Sequence, residues 1–298
     1  LALSERVSPL PGPFKIHRIV EMEGTFLQPG TLFPDATPEA VKATETARNP
    51  KLYDPASDRL VMAFQMFVVQ TPSSTILIDG SVGNDKERPR NPPWHRLNGP
   101  FLDDLSTLGL NPDDIDIVIC THLHADHVGW NTRLENGSWV PTFPKARYVF
   151  VQSEAAYWRQ VLAENPPDMV NHGSWGDSVE PIFQANQAME VPGDHEVEEG
   201  VRLVSAPGHT PGNAVVRLEQ DGERAYVTGD VIHHPIQIEQ PRWSSCFCSD
   251  PEQASQTRVA MLDTIADEEA WLLPAHFPTP TATQIRRVDA GFQMVQGY

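Results

Sequence analysis

The stretch Thr121-His122-Leu123-His124-Ala125-Asp126-His127-Val128-Gly129-Trp130 decides how this chain is read. It sets four metal-ligand residue types in an H-x-H-x-D-H spacing. In extended backbone, side chains two positions apart point the same way, so His122 and His124 can share one metal. Asp126 and His127, past a bend, can face a second. With this chain's own His and Asp content the spacing arises by chance about once in a thousand such sequences, which leaves little weight for plain surface histidines on a turn. A metal centre carried on a loop is the expectation.

Working outward, the segment just before it, DIDIVIC (114–120), is nearly continuous in β-branched apolar residues and reads as a buried strand. FLDDLSTLGL (101–110) reads as a short helix closed by Gly109. LVMAFQMFVVQ (60–70) and STILIDG (74–80) read as a hairpin, and FKIHRIV (14–20) as a first strand. Strand, helix, strand implies a layered α/β domain. Downstream, helices are expected over 153–165, 177–191 and 251–268, with strands over 201–207, 213–220, 224–230 and 270–276. Residues 1–13 are Pro-rich and read as an arm. Residues 14–298 read as a single domain of two packed β-rich layers with helices outside. Within it, 24–58 is an insertion of turn formers with room for one short helix, a lid or a contact surface.

Three more ligand types stand at the ends of buried strands: His209 after VRLVSAPG, Asp230 ending RAYVTGD and His276 ending AWLLPAH. Strand ends followed by short Gly- or Pro-bearing loops are where α/β folds present functional groups. Seven nitrogen and oxygen ligands without a thiolate suit two catalytic metals with open positions better than a closed structural site.

Other classes fall away on composition. With 22 Lys and Arg against 40 Asp and Glu the formal charge is -18, which repels a phosphate backbone, so nucleic acid is not an expected partner. No run approaches the roughly 18 apolar residues of a membrane span. The start, LALSERVSPLPGP, lacks the basic and apolar blocks of a secretory signal, making cytoplasmic location the expectation. Of three cysteines, Cys246 and Cys248 are too close for an ordinary bridge, so there is no disulfide framework. Those two lack partners as metal ligands and are read as packing or pocket-edge residues.

ILIDG (76–80), THLHADH (121–127), PGHT (207–210), TGD (228–230) and PAH (274–276) come in an order and spacing that resembles the metallo-β-lactamase-fold hydrolases, from about Phe14 to His276. The resemblance implies an α/β (α+β) fold, a four-layer αββα sandwich, with a binuclear centre. By matching position, His122, His124 and His209 would hold one metal, Asp126, His127 and His276 the other, with Asp230 bridging and Asp79 orienting the histidine loop. Catalytic roles would fall to Asp126, Asp230 and His233. Where the family commonly has Gly-Gly after the motif, this chain has Gly129-Trp130, which alters pocket shape. A bridging Asp230 is unlike true β-lactamases, and the acidic surface is unlike the RNA-processing branch. Length, early insertion and VGWN resemble the lactonase, arylesterase and phosphotriesterase branch.

The expectation is therefore a binuclear hydrolase in which a metal-activated hydroxide cleaves carboxylic esters or lactones, with two divalent ions per chain, zinc first and manganese, cobalt or iron as alternatives. Its partner is a small-molecule ester or lactone. The arm and insertion also offer surfaces for a second copy of the chain. Lactonases of that branch carry a Tyr three residues after the bridging Asp; here His233 stands there, a candidate donor to the leaving group or else a buried, satisfied histidine, which is the expectation for His234. Trp94, Trp130, Trp243, Phe277, Phe26 and Phe33 are candidates to line an apolar pocket. Three alternatives stand beside this reading: a phosphotriester hydrolase, a mononuclear iron persulfide dioxygenase-like enzyme and a non-catalytic binding protein.

Overall fold

The computed structural model describes residues 4–6, 10, 12–289 and 291–295, and the chain divides into two compact units. The first comprises Gly12–Glu21 and Phe64–Pro192 with the described part of Leu1–Ser8. The second comprises Met22–Ala63 and the described part of Gly193–Tyr298 with Leu10. Strands Lys15–Thr25 and Arg59–Gln70 run on from one unit into the other.

The first sheet follows the order Ser4–Arg6, Lys15–Thr25, Arg59–Gln70, Thr75–Ile78, Ile117–Ile119, Arg147–Val151, Ala188–Val191, with Tyr53–Asp54 paired to Arg59–Gln70. The hairpin expected from 60–80 is present and antiparallel. Its second strand opens a run of four parallel strands ending at Ala188–Val191. Parallel neighbours need crossovers, and helices Phe101–Thr107 and Gln152–Glu164 lie in two of them. Phe101, Leu105, Val118, Tyr148, Phe150 and Trp158 belong to one buried cluster in this unit.

The second sheet runs His195–Glu198, Val201–Ser205, Ala214–Gln220, Glu223–Val227, Trp271–Leu273, Thr283–Val288, Gly291–Met294. All pairs are antiparallel except Glu223–Val227 with Trp271–Leu273, whose crossover is helix Pro251–Asp267. Asp250 caps that helix by accepting from Gln253 N at 2.9 Å, and Pro251 fits its first turn. Buried Ala254, Arg258, Leu262 and Ile265 fall on one face at helical spacing.

Two expectations change. Over 177–191 the chain is not one helix: a π-turn at Trp175–Val179 leads into a short helix, Glu180–Gln184, and Ala188–Val191 is a strand because its residues take up register beside Tyr148–Val151. The insertion holds two short helices, Pro29–Leu32 and Pro38–Ala43, and a 3-10 turn, Thr46–Arg48. It carries its own apolar cluster, in which Leu32, Phe33 and Val41 pack with Leu60, Ile236 and Trp243. The Glu239 carboxylate pins it by accepting from the backbone N of Glu45 and Thr46 at 2.7 and 2.8 Å. It is a packed wall of the second unit. Among the described residues no helix is long and apolar enough to cross a membrane.

Candidate metal centre

In the first unit the strand Ile117–Ile119 emits the histidine loop, and alternate residues divide the labour. Backbone groups of the odd-numbered residues are tied down by side chains. Thr121 N donates to Asp79 Oδ1 at 2.8 Å, Leu123 N to Glu154 Oε1 at 3.0 Å and Ala125 N to Asn171 Oδ1 at 3.0 Å, while Asn171 Nδ2 donates to Leu123 O at 2.6 Å. His122, His124 and, in the short helix Ala125–Val128, Asp126 and His127 present their side chains between these anchors. His122 Nε2 lies 3.1 Å from His124 Nδ1, and the His122 and His127 rings are 4.1 Å apart.

Asp79 is not an idle turn residue. Its Oδ2 accepts from His127 Nδ1 at 2.9 Å and from Thr121 Oγ1 at 2.9 Å. Because the Thr121 hydroxyl proton is spent on Asp79, its oxygen accepts from His122 Nδ1 at 3.2 Å. Both rings therefore carry their protons on Nδ1 and present Nε2 electron pairs, the arrangement that outer carboxylates impose on metal-binding histidines. Asp79 sits at φ 61° and Ser81 at φ 41°, left-handed backbone held by its neighbours.

A clasp holds that turn. Gly80 N donates to His127 O at 2.6 Å, Gly129 N to Ser81 O at 2.8 Å and Trp130 N to Gly80 O at 2.7 Å. The two backbones approach so closely that a Cβ on Gly129 would stand 1.8 Å from Val82 O. Glu21 grips both sides, accepting from Ser81 Oγ at 2.7 Å, Val82 N at 2.9 Å, Gly83 N at 3.0 Å and Trp130 Nε1 at 2.8 Å. Trp130, the departure from Gly-Gly, is thus buried and bound to Glu21.

In the second unit three histidines surround one carboxylate. Asp230, on the turn after strand Glu223–Val227, has Oδ2 3.1 Å from His209 Nε2 and 3.2 Å from His233 Nε2, and Oδ1 3.1 Å from His276 Nε2. His276 Nδ1 donates to Ala63 O at 2.8 Å, so its Nε2 electron pair faces a carboxylate oxygen. Two acceptors at that distance repel unless a cation lies between them, so this donor set suits a divalent metal. The protein also answers with protons. Burial opposes a charge on His209, but Asp230 and then Cys248 outweigh it and push the ring to about 9. His233 goes the other way, to about 4, through burial and the neighbouring His209 and His276, with Asp230 opposing.

His233 also lies 3.3 Å from Ser245 Oγ, and Cys248 Sγ lies 3.6 Å from His209 Nδ1. Cys248 is therefore a support for His209, while Cys120 is buried and Cys246 exposed. His234 donates Nε2 to Leu52 O at 3.0 Å and accepts from Ile236 N at 3.2 Å; it is a satisfied core histidine. Arg258 escaped the sequence reading, though an arginine in an apolar helix stripe was a visible signal. Its guanidinium is fully buried and donates to the carbonyls of Val231, Pro241 and Trp243 at 3.0, 2.7 and 2.7 Å, fixing the chain that follows Asp230.

Each unit thus carries its own ligand-type residues: His122, His124, Asp126 and His127 in the first, His209, Asp230 and His276 in the second. The family model described as Metallo-beta-lactamase superfamily matches residues 64–276. An N-acyl homoserine lactonase of Bacillus thuringiensis is 29% identical over 174 residues, 58% of this chain and 60% of the relative. The match spans less than two thirds of these curated relatives' length, 38% for an N-acyl homoserine lactonase of Bacillus sp.. Among solved structures, the hydrolase AbOPH in the beta lactamase superfamily aligns with a TM-score of 0.82 at 22% identity, covering 99% of this chain and 97% of that one. AidC, a dizinc quorum-quenching lactonase in complex with the product N-hexanoyl-L-homoserine, aligns with a TM-score of 0.79 at 20% identity, covering 99% and 98%.

Proposed function

Because the chain belongs to the metallo-β-lactamase superfamily, we propose that it is a metal-dependent hydrolase of carboxylic esters or lactones working with two divalent cations, zinc first. In this reading His122, His124 and His209 would hold one cation, Asp126, His127 and His276 would hold the other, and Asp230 would serve both. The observation that carries it is Asp230 ringed by the Nε2 atoms of His209, His233 and His276. The lactonases among its relatives add weight to the substrate class.

Bound cations would supply Lewis acidity and a water acidified toward neutral pH. The rest falls to the chain. The bonds from His127 Nδ1 to Asp79 and from His276 Nδ1 to Ala63 O keep both Nε2 electron pairs forward. Asp126 and Asp230 would accept hydrogen bonds from a water held between them and the substrate and so orient it. His233, neutral and turned to Asp230 and Ser245, steadies that carboxylate; a hydrogen bond from it to the leaving group requires the ring to release Asp230.

Metal analysis and a substrate screen test this. Protein reconstituted with zinc, manganese or cobalt should bind about two ions per chain and turn over aryl esters or γ- and δ-lactones. His122→Ala and Asp230→Asn should each lose on the order of a hundredfold in kcat/KM. Full activity in either variant removes the role assigned to that residue. Faster turnover of phosphotriesters moves the assignment to that class, and a single redox-active iron without hydrolysis moves it to persulfide oxidation. Neither metal nor turnover leaves a binding protein.

A further inference from the structure

The turn Asn171-His172-Gly173 holds three consecutive residues in left-handed backbone, at φ 46°, 56° and 80°. Glycine tolerates that region; histidine does so at a cost, and such strain persists only where the surroundings over-determine it. Here they do, from both sides. Asn171 zips the turn to the histidine loop through Leu123 O and Ala125 N. Arg88, fully buried and paired with both Asp177 carboxylate oxygens at 2.6 and 2.9 Å, donates to His172 O at 3.0 Å.

The ring so placed is half-buried and stands edge-on to Trp94, centroids 5.5 Å apart, with Trp94 in turn edge-on to Phe64 at 5.5 Å. Among the described residues no hydrogen bond engages its ring nitrogens. Burial, then Arg88 and Arg90, hold it below the ordinary histidine range against the pull of Asp126, so the ring is neutral and offers one donor and one acceptor. Beside it lies a cleft of about 530 Å³, lined by Pro89, Pro167, Gly173 and Gly176 and also by charged residues, Glu87, Arg90 and Asp168 among them. That volume is in the range of small-molecule sites, and a lining of small, proline and charged residues suits a substrate with both an acyl part and hydrogen-bonding groups.

Resting on the ester-hydrolase reading above, we infer that His172 is a substrate-contacting, specificity-determining residue, whose imidazole meets a hydrogen-bonding group of the ester or lactone lodged in this cleft. A strained histidine that served packing alone would be improved by glycine. The test therefore compares wild type with His172→Gly, which removes ring and strain together, and His172→Asn, which keeps a hydrogen-bonding side chain in a residue that accepts left-handed backbone. All three are loaded with zinc and assayed on aryl esters and lactones of increasing acyl length, with metal content and thermal midpoint measured on the same samples.

The expected result is a midpoint in His172→Gly equal to or above wild type, unchanged metal content, and a kcat/KM at least tenfold lower with the loss varying across the series. His172→Asn should recover part of that loss. Activity within twofold of wild type on every substrate overturns the inference. So does a loss that comes with a lower midpoint or missing metal, since the role would then be structural. A wild type that hydrolyses no ester or lactone overturns the ester reading and this inference together, whereas an active wild type matched by His172→Gly overturns this inference alone.

Discussion

At the scale of single residues, Asp79 shows how little freedom the candidate ligands keep. One carboxylate receives Thr121 N, Thr121 Oγ1 and His127 Nδ1, and so sets both the loop and the tautomer of a ring. Asp79→Ala should weaken metal affinity by about ten- to a hundredfold, read by chelator competition, because His127 would turn freely and Thr121 would lose its anchor. Undiminished affinity would show the loop to be set without it. The histidines also fix a pH dependence for metal-free protein. His209, raised to about 9 by Asp230 against burial, contributes stability that is whole below the unfolded histidine pKa of about 6.5 and is lost as pH climbs to about 9. His233 and His234, lowered chiefly by burial to about 4 and about 3, contribute stability that is whole above about 6.5 and is lost as pH falls toward those values. Metal-free protein should thus melt highest near neutral pH. Saturating zinc should abolish the alkaline fall, because the cation takes the place of the His209 proton. A metal-free midpoint that keeps rising from pH 6.5 to 9 would contradict proton sharing between His209 and Asp230.

At the scale of elements, the clasp of two turns and the buried arginine decide whether the loops hold their shape. Gly129→Ala puts a methyl group into Val82 O, backbone against backbone, where no side chain can yield. The expected cost is at least about 3 kcal/mol in chemical denaturation, together with loss of metal affinity, since Asp79 and His127 sit on the two turns that would be forced apart. Arg258→Ala removes the donor to Val231 O and Pro241 O, while Trp243 O keeps Gln237 Nε2, and should cost about 3 kcal/mol. A change under about 1 kcal/mol would mean that water replaces the guanidinium. Helices and hairpins were legible because their apolar spacing is long and regular, as in 251–268 and 60–80. Ala188–Val191 was not, since four residues of which only Val191 is buried carry no period, and pairing with Arg147–Val151 decides their state. Nor was the insertion: its two short helices owe their existence to Phe33, Val41 and Trp243 packing together, contacts that local sequence does not announce.

At the scale of the whole molecule, the candidate ligand residues are visible in the sequence at strand ends, while the groups around them are not. Glu21, Arg258 and His172 become meaningful only where the fold puts them beside Trp130, Val231 and Trp94. The residues proposed for one cation come from both compact units, His124 from the first and His209 from the second. If the cations are shared, each needs ligands from both. Metal bound only to the folded state stabilises it by about 2.7 kcal/mol at a hundredfold excess over its dissociation constant, so zinc should raise the melting midpoint of wild-type protein and chelation should reverse the rise. His124→Ala and His209→Ala, which on the proposed assignment strip the same cation, should each remove the same share of it, although each change lies in a different unit. A rise that survives intact in one of the two variants would mean that the cation belongs to a single unit, and would dismantle the shared centre while leaving the fold untouched.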